Sequence, residues 1–378
     1  MNTEHKNFLN IGFDAKRLFL NQAGLGNYSR WLVKGLIKQF PENQYHLYTT
    51  NVSDVQKDFT GKNIHTHLPH NLFKSFWRTK GIKKDLLKDK IELYHGLSNE
   101  LPIGIEKTGI KTVVTIHDLI FKIHPEYYNP IDRAIYDKKF KSACERADKV
   151  VAISEHTKAS IIEHYKIPAE KIKVIYLDSS ARFHYPAEAE QVENIKQKFG
   201  LSKPFFLNVG AIGGRKNQLK LVKSFAKVAN QIEQDLVLIG KDGKDSDAIK
   251  SIIDKDNLKD RVKHFTSVDD IDLYHLYQAS YATVYPSLYE GFGIPIIESY
   301  RSGKPVLTSK GSSLEEVAGK AGLLCNPEDI DEMASQLLKL TDPNTYQHLR
   351  KAIPEELLRF DPQKSLNQYM DLYRESLL

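Results

Sequence analysis

The segment that decides the fold is YATVYPSLYEGFGIPIIESYRSGKPV, residues 281–306. Its start, YATVYPS, is rich in aromatic and β-branched residues and predicts a buried strand. Pro295 suits the first position of a helix, and Gly303 suits the carboxyl-terminal cap of that helix. The segment therefore predicts a strand, a glycine-rich loop and a helix. The loop leaves the carboxyl end of the strand, where open α/β sheets bind ligands.

The same alternation of strands and helices runs along the whole chain. In the first half we predict strands at residues 8–15, 44–50, 91–97, 112–119 and 149–156, and helices at 26–40, 133–147 and 157–165. The pattern restarts with strands predicted at 205–211, 235–241, 262–268, 281–287 and 304–310. Such alternation is typical of parallel sheets covered by helices on both faces. The sequence thus predicts an α/β protein with two doubly wound, Rossmann-like domains facing across a cleft.

The domain bounds follow from length and composition. A chain of 378 residues fits two domains of common size. The stretch Pro186–Pro204 is polar, lacks strand character and is interpreted as the linker. We therefore predict a first domain at 1–187 and a second at 188–360. A last helix, predicted at 361–378 with Asp361 as its N-cap, is expected to pack back on the first domain.

Two carboxylates and two glycines carry the chemistry of the opening segment. Gly291 and Gly293 allow a tight turn with bare backbone N–H groups, and the helix that follows offers a positive amino terminus for a phosphate. Glu290 and Glu298 can both border that pocket and accept hydrogen bonds from the hydroxyls of a sugar and of a ribose. The alternative is that Glu298 serves only the helix dipole and the glycines only shape the loop.

A second segment, VGAIGGRKNQLKLVKSF at 209–225, adds two adjacent cations. Gly210 ends a strand, and Arg215 and Lys216 are predicted to open the next helix, where cations oppose the dipole. An anion between them would resolve this conflict, and a diphosphate fits because arginine binds it bidentately while lysine adds a point charge. The alternative is a pair of solvated surface cations.

The first half offers a weaker glycine loop and one histidine. GLGNYS, with Gly24 and Gly26, opens the first long helix and seats either a phosphate or only a tight turn. It is not a dinucleotide fingerprint, since Ser29 holds the third small position and no acid ends the next strand, which argues against an NAD-dependent dehydrogenase. His117, at the carboxyl end of a strand, is interpreted as a substrate contact, with a local hydrogen bond as the alternative.

The positive charge is concentrated in the first half. The net charge is +6, and residues 1–150 hold 24 Lys and Arg against 16 Asp and Glu. The basic segment, Phe73–Lys90, has seven basic and two acidic residues. Its interleaved aromatics suit an anionic lipid surface or an anionic acceptor. The alternative is a solvated helix face whose aromatics pack inward. A nucleic-acid partner is not expected, because no module signature accompanies the charge.

The remaining composition bears on the compartment and on metals. No signal peptide or membrane-spanning stretch is predicted, and Cys144 and Cys325 are expected to be reduced, buried thiols of a cytoplasmic protein. No metal site is predicted, because no Cys/His cluster has the spacing of zinc ligands. The triplet Asp270-Ile-Asp272 spells the D-x-D of metal-dependent transferases, but capping of the helix that follows explains it better.

Taken together, these segments resemble the retaining glycosyltransferases of family 4, which have the GT-B fold. The sharpest element is the E-x7-E motif, here EGFGIPIIE, and the resemblance also rests on GAIGGRKN, GLGNYS and VVAISEHTK. The strings YHGLSNELP and VVTIHDLIFKIHPEYY resemble more narrowly a subgroup with bacterial mannosyltransferases of polysaccharide assembly. One segment departs from the family pattern: this chain has VIYLDSSARF where many members have a sequence close to Asn-Gly-Val-Asp after the strand. The departure affects only the expected detail of the hinge.

The resemblance implies a role for each candidate residue. Catalytic roles fall to Glu290, which would hold hydroxyls of the donor sugar, to Arg215 and Lys216, which would bind the departing diphosphate, and to His117, which would contact the sugar or the acceptor. Glu298 would hold the ribose. The other implied donor-binding residues are Gly24, Gly26, Gly210, Gly291, Phe292 and Gly293.

The implied reaction is transfer of a hexose from a nucleotide-sugar. The expected hexose is mannose, and the expected donor is GDP-mannose. The implied acceptor is a hydroxyl of a glycan or lipid-linked glycan in cell-surface polysaccharide synthesis. No cofactor and no metal are expected, and the location is cytoplasmic or peripheral at the inner face of the cell membrane. A nucleotide-sugar epimerase of the same fold and a non-catalytic, membrane-docked binding protein are the alternatives.

Overall fold

The computed structural model describes residues 8–69 and 73–378. Part of the amino-terminal segment on which the prediction of no signal peptide rests, residues 1–7, lies outside the described residues. The chain divides into two compact units. Unit 1 is Met1–Leu177 together with Pro362–Leu378, and unit 2 is Asp178–Asp361.

Unit 1 is built on a parallel sheet that holds seven strands among the described residues, in the order β3-β2-β1-β4-β5-β6-β7. Numbered along the chain, they are β1 Asn10–Asp14, β2 Gln44–Tyr48, β3 Ile64–His67, β4 Leu93–Gly96, β5 Lys111–Ile116, β6 Lys149–Ala152 and β7 Ile172–Val174. The helices between them are α1 Lys16–Leu20, α2 Gly24–Gln39, α3 Lys74–Phe76, α4 Lys83–Lys88, α5 Ile120–Ile123, α6 Pro130–Arg146 and α7 Glu155–Tyr165. A π-helical turn, Trp77–Gly81, joins α3 to α4.

Unit 2 is built on a parallel sheet in the order β10-β9-β8-β11-β12-β13. Its strands are β8 Phe205–Val209, β9 Asp235–Ile239, β10 Val262–Phe265, β11 Ala282–Tyr285, β12 Val306–Ser309 and β13 Gly322–Cys325. Its helices are α8 Ala189–Lys198, α9 Gln218–Val228, α10 Ser246–Lys255, α11 Asp270–Ala279, α12 Ile294–Arg301, α13 Ser313–Ala318, α14 Ile330–Thr341 and α15 Pro343–Leu357.

The two doubly wound α/β domains predicted from the sequence are confirmed. Every predicted strand overlaps an observed one, and β3, β7 and β13 are additions of three or four residues each. The predicted linker at Pro186–Pro204 contains α8, which packs on α11 within unit 2. The compact units divide between Leu177 and Asp178.

The last helix, α16 at Pro362–Leu377, belongs to unit 1 and completes its core. The hydroxyl of Tyr369 lies 2.9 Å from that of Tyr28, and the hydroxyl of Tyr373 lies 2.6 Å from Nδ1 of His95. Thr115 bonds to both Tyr28 and His95 at 2.8 Å. Because these polar groups are buried yet paired with one another, the network fixes how α16 docks.

The strand order of unit 2 brings the carboxyl ends of β8 and β11 next to each other. In unit 2 the chain runs outward from β8 in both directions, to β9 on one side and to β11 on the other. The loops after β8 and β11 therefore leave the same edge of the sheet at its topological switch point, where a crevice for ligands forms.

Candidate functional site

The loop after β8 carries the cation pair. Gly210 has φ 151°, and a Cβ there would lie 3.4 Å from the side chain of Lys216, so this position favours glycine. Arg215 and Lys216 lie in a short 3-10 turn, Gly214–Lys216, and α9 begins only at Gln218. The helix therefore begins three residues later than predicted, and the two cations precede it. The break is at Asn217, which is left-handed with φ 64° and whose amide donates to Pro286 O at 3.1 Å and to Pro327 O at 2.7 Å.

Both cations converge on Glu290 in the loop after β11. Lys216 Nζ donates to Glu290 Oε1 at 2.7 Å, and Arg215 Nη1 pairs with Glu290 Oε2. The hydroxyl of Tyr285 donates to Glu290 Oε1 at 2.8 Å, and Lys216 also donates to that hydroxyl. Arg215 further donates to the carbonyl of Tyr289 at 2.8 Å. Four side chains, which we call the Glu290 cluster (Arg215, Lys216, Tyr285 and Glu290), thus form one connected network.

The electrostatics of the Glu290 cluster keep its charges in place. Burial alone would raise the pKa of Glu290, but Lys216 and Arg215 outweigh it and hold the pKa at about 2. Burial likewise opposes the charge of Lys216, yet Tyr285 and Glu290 leave its pKa above the usual value. At physiological pH, Glu290 is therefore a carboxylate that can accept hydrogen bonds and cannot donate a proton.

Backbone contacts hold the acidic loop against its neighbours. The N–H of Leu288 donates to the carbonyl of Arg215 at 2.8 Å. The hydroxyl of Ser313 donates to the carbonyls of Glu290 at 2.7 Å and Phe292 at 2.8 Å. Gly293, with φ 146°, is the residue before α12. The loop from Glu290 to Gly293 is thereby fixed between the cation turn and the start of α12.

The second glutamate lies in different surroundings. α12 begins at Ile294, so Pro295 is its second residue and Glu298 its fifth. Burial raises the pKa of Glu298 to about 7. A hydrogen bond with Tyr277 lowers the pKa, the negative charge of Asp270 raises it, and the positive charge of Arg182 lowers it by a smaller amount. Unlike Glu290, Glu298 forms no ion pair with a described residue, and the weak effect of Arg182 does not offset its burial, so at neutral pH the carboxyl is partly protonated. The two glutamates of one motif differ by about five units in pKa.

In unit 1 the predicted glycine loop forms the first turn of α2. Gly24 is exposed, whereas Gly26 is buried. A Cβ on Gly26 would lie 1.8 Å from the carbonyl oxygen of Asn21, so no larger residue fits without moving the backbone. Close packing therefore explains Gly26 without a ligand, and its approach to a diphosphate stays a prediction.

His117 lies after the end of β5, as predicted, and is buried. Its Nε2 donates to the carbonyl of Leu97 at 2.9 Å, and its ring meets that of Tyr28 edge-on at 4.7 Å between centroids. Burial lowers the pKa of His117 to about 4, so the imidazole is neutral. The local hydrogen bond considered as the alternative is present, and contact with a substrate stays a prediction.

Tyr285 and Tyr277 were missed by reasoning from the sequence. Tyr285 is the last residue of β11, where a polar aromatic at the carboxyl end of a strand could have signalled a role. Tyr277 is completely buried on α11, and its pKa is raised by burial and by the nearby Glu298. Nothing in the local sequence distinguishes Tyr277 from an ordinary core residue.

Two doubly wound parallel sheets, with a cation pair and an acidic glycine-rich loop at the switch point of the second, define the class of GT-B glycosyltransferases. Comparison with known proteins establishes it. Residues 23–177 match the family described as Glycosyltransferase Family 4, and residues 191–356 match the family described as Glycosyl transferases group 1. The chain belongs to glycosyltransferase family 4 and is a glycosyltransferase, as predicted.

Similar curated proteins act in O-antigen assembly by their names. The chain is 30% identical over 264 residues to O-antigen chain mannosyltransferase B of Escherichia coli, covering 69% of this chain and 68% of that protein. It is 32% identical over 250 residues to O-antigen chain mannosyltransferase RfbU of Salmonella typhimurium, covering 66% of this chain and 63% of that protein. The match to the serotype-specific mannosyltransferase WbdA of Escherichia coli spans only about a third of that protein's length.

Solved structures share the fold. A glycosyltransferase from Rickettsia africae superposes with a TM-score of 0.76 at 19% identity, covering 98% of this chain and 99% of that one. WaaG, a glycosyltransferase involved in lipopolysaccharide biosynthesis, superposes with a TM-score of 0.69 at 17% identity, covering 94% and 98%. Because the sequence identities are low, the structural likeness establishes only the GT-B fold and no more specific function. Among the described residues, no helix is both long enough and apolar enough to cross a membrane.

Proposed function

We propose that this glycosyltransferase moves mannose from GDP-mannose to a hydroxyl of a glycan or lipid-linked glycan in cell-surface polysaccharide synthesis, with retention at the anomeric carbon. The observation that carries the donor site is the Glu290 cluster, which gathers two cations and a carboxylate at the switch point of unit 2. The choice of mannose rests on the relatives named above, which are mannosyltransferases at about 30% identity.

The Glu290 cluster supplies the charges that glycosyl transfer needs. Negative charge develops on the diphosphate oxygen as the bond to the sugar breaks, and preorganised cations stabilise it. Arg215 and Lys216 are already ordered by Glu290, so little reorganisation is required when the diphosphate arrives. The carboxylate of Glu290 then accepts hydrogen bonds from hydroxyls of the sugar, aided by the backbone N–H groups of the loop from Gly291 to Gly293.

We propose that retention, which the family resemblance implies, proceeds without a covalent intermediate, because this cluster offers no good nucleophile. Both oxygens of Glu290 are engaged by Arg215, Lys216 and Tyr285, which lowers the basicity of the carboxylate. A covalent intermediate on Glu290 is therefore disfavoured, and we propose that the acceptor hydroxyl attacks the face that the diphosphate leaves. Positive charge on the sugar at that moment is balanced by the departing diphosphate.

We propose that the reaction requires no metal, because positive charge at the leaving group comes from Arg215, Lys216 and the start of α12. The D-x-D triplet, Asp270-Ile-Asp272, lies at the start of α11. Asp269, one residue before it, caps α11 by accepting from the N–H groups of Ile271 and Asp272, and the carboxylate of Asp272 bonds to Lys198. The prediction that the triplet caps the helix is therefore off by one residue, since Asp269 is the cap while Asp270 and Asp272 lie in the first turn of α11.

The basic segment Phe73–Lys90 is proposed to dock on an anionic membrane face. Phe73 and Phe76 are 75% and 58% exposed, whereas Trp77 packs inward at 5%. Arg78 is not available for lipid, because it is held by Asp14 and by Glu100. The exposed aromatics, interleaved with the lysines of the segment, suit the interface of a bilayer, where each cation adds on the order of 1 kcal/mol.

The decisive experiment measures transfer with a panel of radiolabelled nucleotide-sugars and a lipid-linked oligosaccharide acceptor. Transfer from GDP-mannose alone, to a product that an α-mannosidase cleaves, is expected. Transfer from a UDP-sugar instead would overturn GDP-mannose as the proposed donor. It would not contradict the proposal that the donor binds at the Glu290 cluster. Conversion of the nucleotide-sugar to an isomer, without a new glycosidic bond, would support the epimerase.

A further inference from the structure

Unit 1 holds a group of histidines that the transferase chemistry does not use. The strands β2 and β3 pair in parallel, with His46 opposite His65 and Tyr48 opposite His67. Because side chains two residues apart on a strand share a face, all four lie on one face of the sheet. The rings of His46 and His67 stack at 5.2 Å between centroids, and His46 and His65 lie 4.7 Å apart.

Two of these histidines bring ring nitrogens together. Nδ1 of His46 lies 3.0 Å from Nε2 of His67. The other ring nitrogen of His67, Nδ1, lies 3.3 Å from Oδ2 of Asp89, which also accepts from the hydroxyl of Tyr48 at 2.7 Å. A proton on Nδ1 of His67 is held by Asp89, so the lone pair of Nε2 points toward His46.

This is the arrangement that orients histidine for a metal. A metal-binding histidine almost always donates its other N–H to a carboxylate or carbonyl, which fixes the tautomer and the ring. Two nitrogens bound to one tetrahedral ion, each about 2.0–2.1 Å from it, lie roughly 3.3 Å apart. The observed 3.0 Å therefore needs an opening of only a few tenths of an ångström.

We propose that His46 and His67 bind one first-row transition-metal ion, with Asp89 as the residue that positions His67. One ligand atom from each of these three residues lies within 4.8 Å of the others. Imidazole nitrogens favour Zn²⁺, Ni²⁺, Co²⁺ and Cu²⁺, whereas Mg²⁺ and Ca²⁺ prefer an all-oxygen shell. Water completes the coordination, since His46 is buried while the side chain of His67 is 25% exposed.

The ion would fasten three pieces of unit 1 together. His46 is on β2, and His67 is on β3, which is the edge strand of the sheet. Asp89 directly follows α4, the helix that carries part of the basic segment. A bound ion would thus tie the edge strand to its neighbour and, through Asp89, to the end of α4. Its effect is on the stability of unit 1 and is separate from the chemistry at the Glu290 cluster.

The test is titration of the purified, metal-stripped full chain with Zn²⁺ in competition with a chromogenic chelator, and with Co²⁺ followed by visible absorption. We expect one saturable site, no competition from Mg²⁺ at a hundredfold excess, and a higher midpoint of thermal unfolding with Zn²⁺. His46→Gln and His67→Gln should each weaken Zn²⁺ binding by at least a hundredfold. Asp89→Asn should weaken it about tenfold to a hundredfold.

Two matched controls separate this site from general binding to surface histidines. His65→Gln removes the neighbouring ring, whose Nε2 is already bonded to Gln44, and His348→Gln removes an exposed histidine of unit 2. Both should bind Zn²⁺ as the wild type does. Absence of saturable binding in the wild type would overturn the proposal, as would equal loss in the control variants or unchanged binding in His46→Gln and His67→Gln. Absence of saturable binding in the wild type overturns the proposal even if a variant fails to fold, and Asp89→Asn then tests the location of the site.

Discussion

If Glu298 holds the ribose, as the family resemblance implies, its raised pKa predicts that donor binding depends on pH. Ribose hydroxyls donate to a carboxylate, so a ligand held in this way binds the ionised form of Glu298 better than the neutral acid. With a pKa of about 7, Glu298 is about one-tenth ionised at pH 6 and about nine-tenths ionised at pH 8. If only the carboxylate binds, the affinity for the nucleotide-sugar rises about tenfold between these values, which corresponds to about 1.4 kcal/mol.

The assay is isothermal titration calorimetry with GDP-mannose at pH 6, 7 and 8 and constant ionic strength. The intact nucleotide-sugar is chosen because a terminal phosphate group would itself titrate near pH 6. The matched variant is Glu298→Gln, which keeps the shape of the side chain and removes the titration. It should bind with a weak affinity that does not change with pH. Equal pH dependence in the variant and the wild type would refute the role of Glu298, and so would a flat wild-type profile.

The same pKa shift predicts an effect on folding. Because the folded-state pKa of Glu298 lies above the usual 4.5, the folded protein retains a proton that the unfolded chain releases, and stability falls as pH rises from about 4.5 to about 7. Glu298→Gln should therefore stabilise the protein at pH 8, by of the order of 1–3 kcal/mol, and have little effect at pH 4.5. Urea unfolding at the two pH values measures this, and equal effects at both would show that folding does not raise the pKa of Glu298.

Three further predictions concern catalysis, metals and the membrane. Lys216→Ala should lower the single-turnover rate of transfer about 10²–10³-fold, whereas Lys220→Ala, in the first turn of α9, should leave it unchanged; equal losses would mean that the charge of the segment matters rather than its position. Transfer should persist in excess EDTA, even if Zn²⁺ leaves the histidine site and lowers the thermal midpoint; loss of activity restored by Mg²⁺ or Mn²⁺ would establish a metal mechanism. Co-sedimentation with anionic liposomes should weaken with salt and in the triple variant with Lys80, Lys83 and Lys84 changed to Ser; equal binding by both proteins, or none by either, would remove the membrane proposal.

The strand-and-helix framework was predictable because its signals are local. YATVYPS and FFLNVGA are apolar over a full strand, and β11 and β8 lie where they were expected. β3 was not predicted because its sequence, IHTH, has little apolar character and depends on pairing with β2. The start of α9 was misplaced because the left-handed conformation of Asn217 is stabilised by carbonyls far along the chain, at Pro286 and Pro327.

The chemistry of the site was predictable in residue type but not in state. The turn positions and charges of Arg215, Lys216 and Glu290 predict that they are site residues. The sequence does not predict that they form ion pairs with one another. The contrast between a pKa of about 2 at Glu290 and about 7 at Glu298 arises from which neighbours face each carboxyl. Likewise, spacing along the chain did not reveal the histidine site, because strand pairing joins residues 21 positions apart.

The docking of α16 on unit 1 has a consequence for the order in which the protein matures on the ribosome. Unit 2 is one continuous stretch, Asp178–Asp361, and all of it leaves the exit tunnel before α16 does. Of the two units, unit 1 is begun first but lacks Tyr369 and Tyr373, both fully buried partners of its polar network, until α16 has been made. Unit 1 therefore stays incomplete until unit 2 has been made, and a stop codon that removes α16 leaves unit 1 without part of its core. To be expressed alone, unit 1 has to be joined directly to its distant last helix.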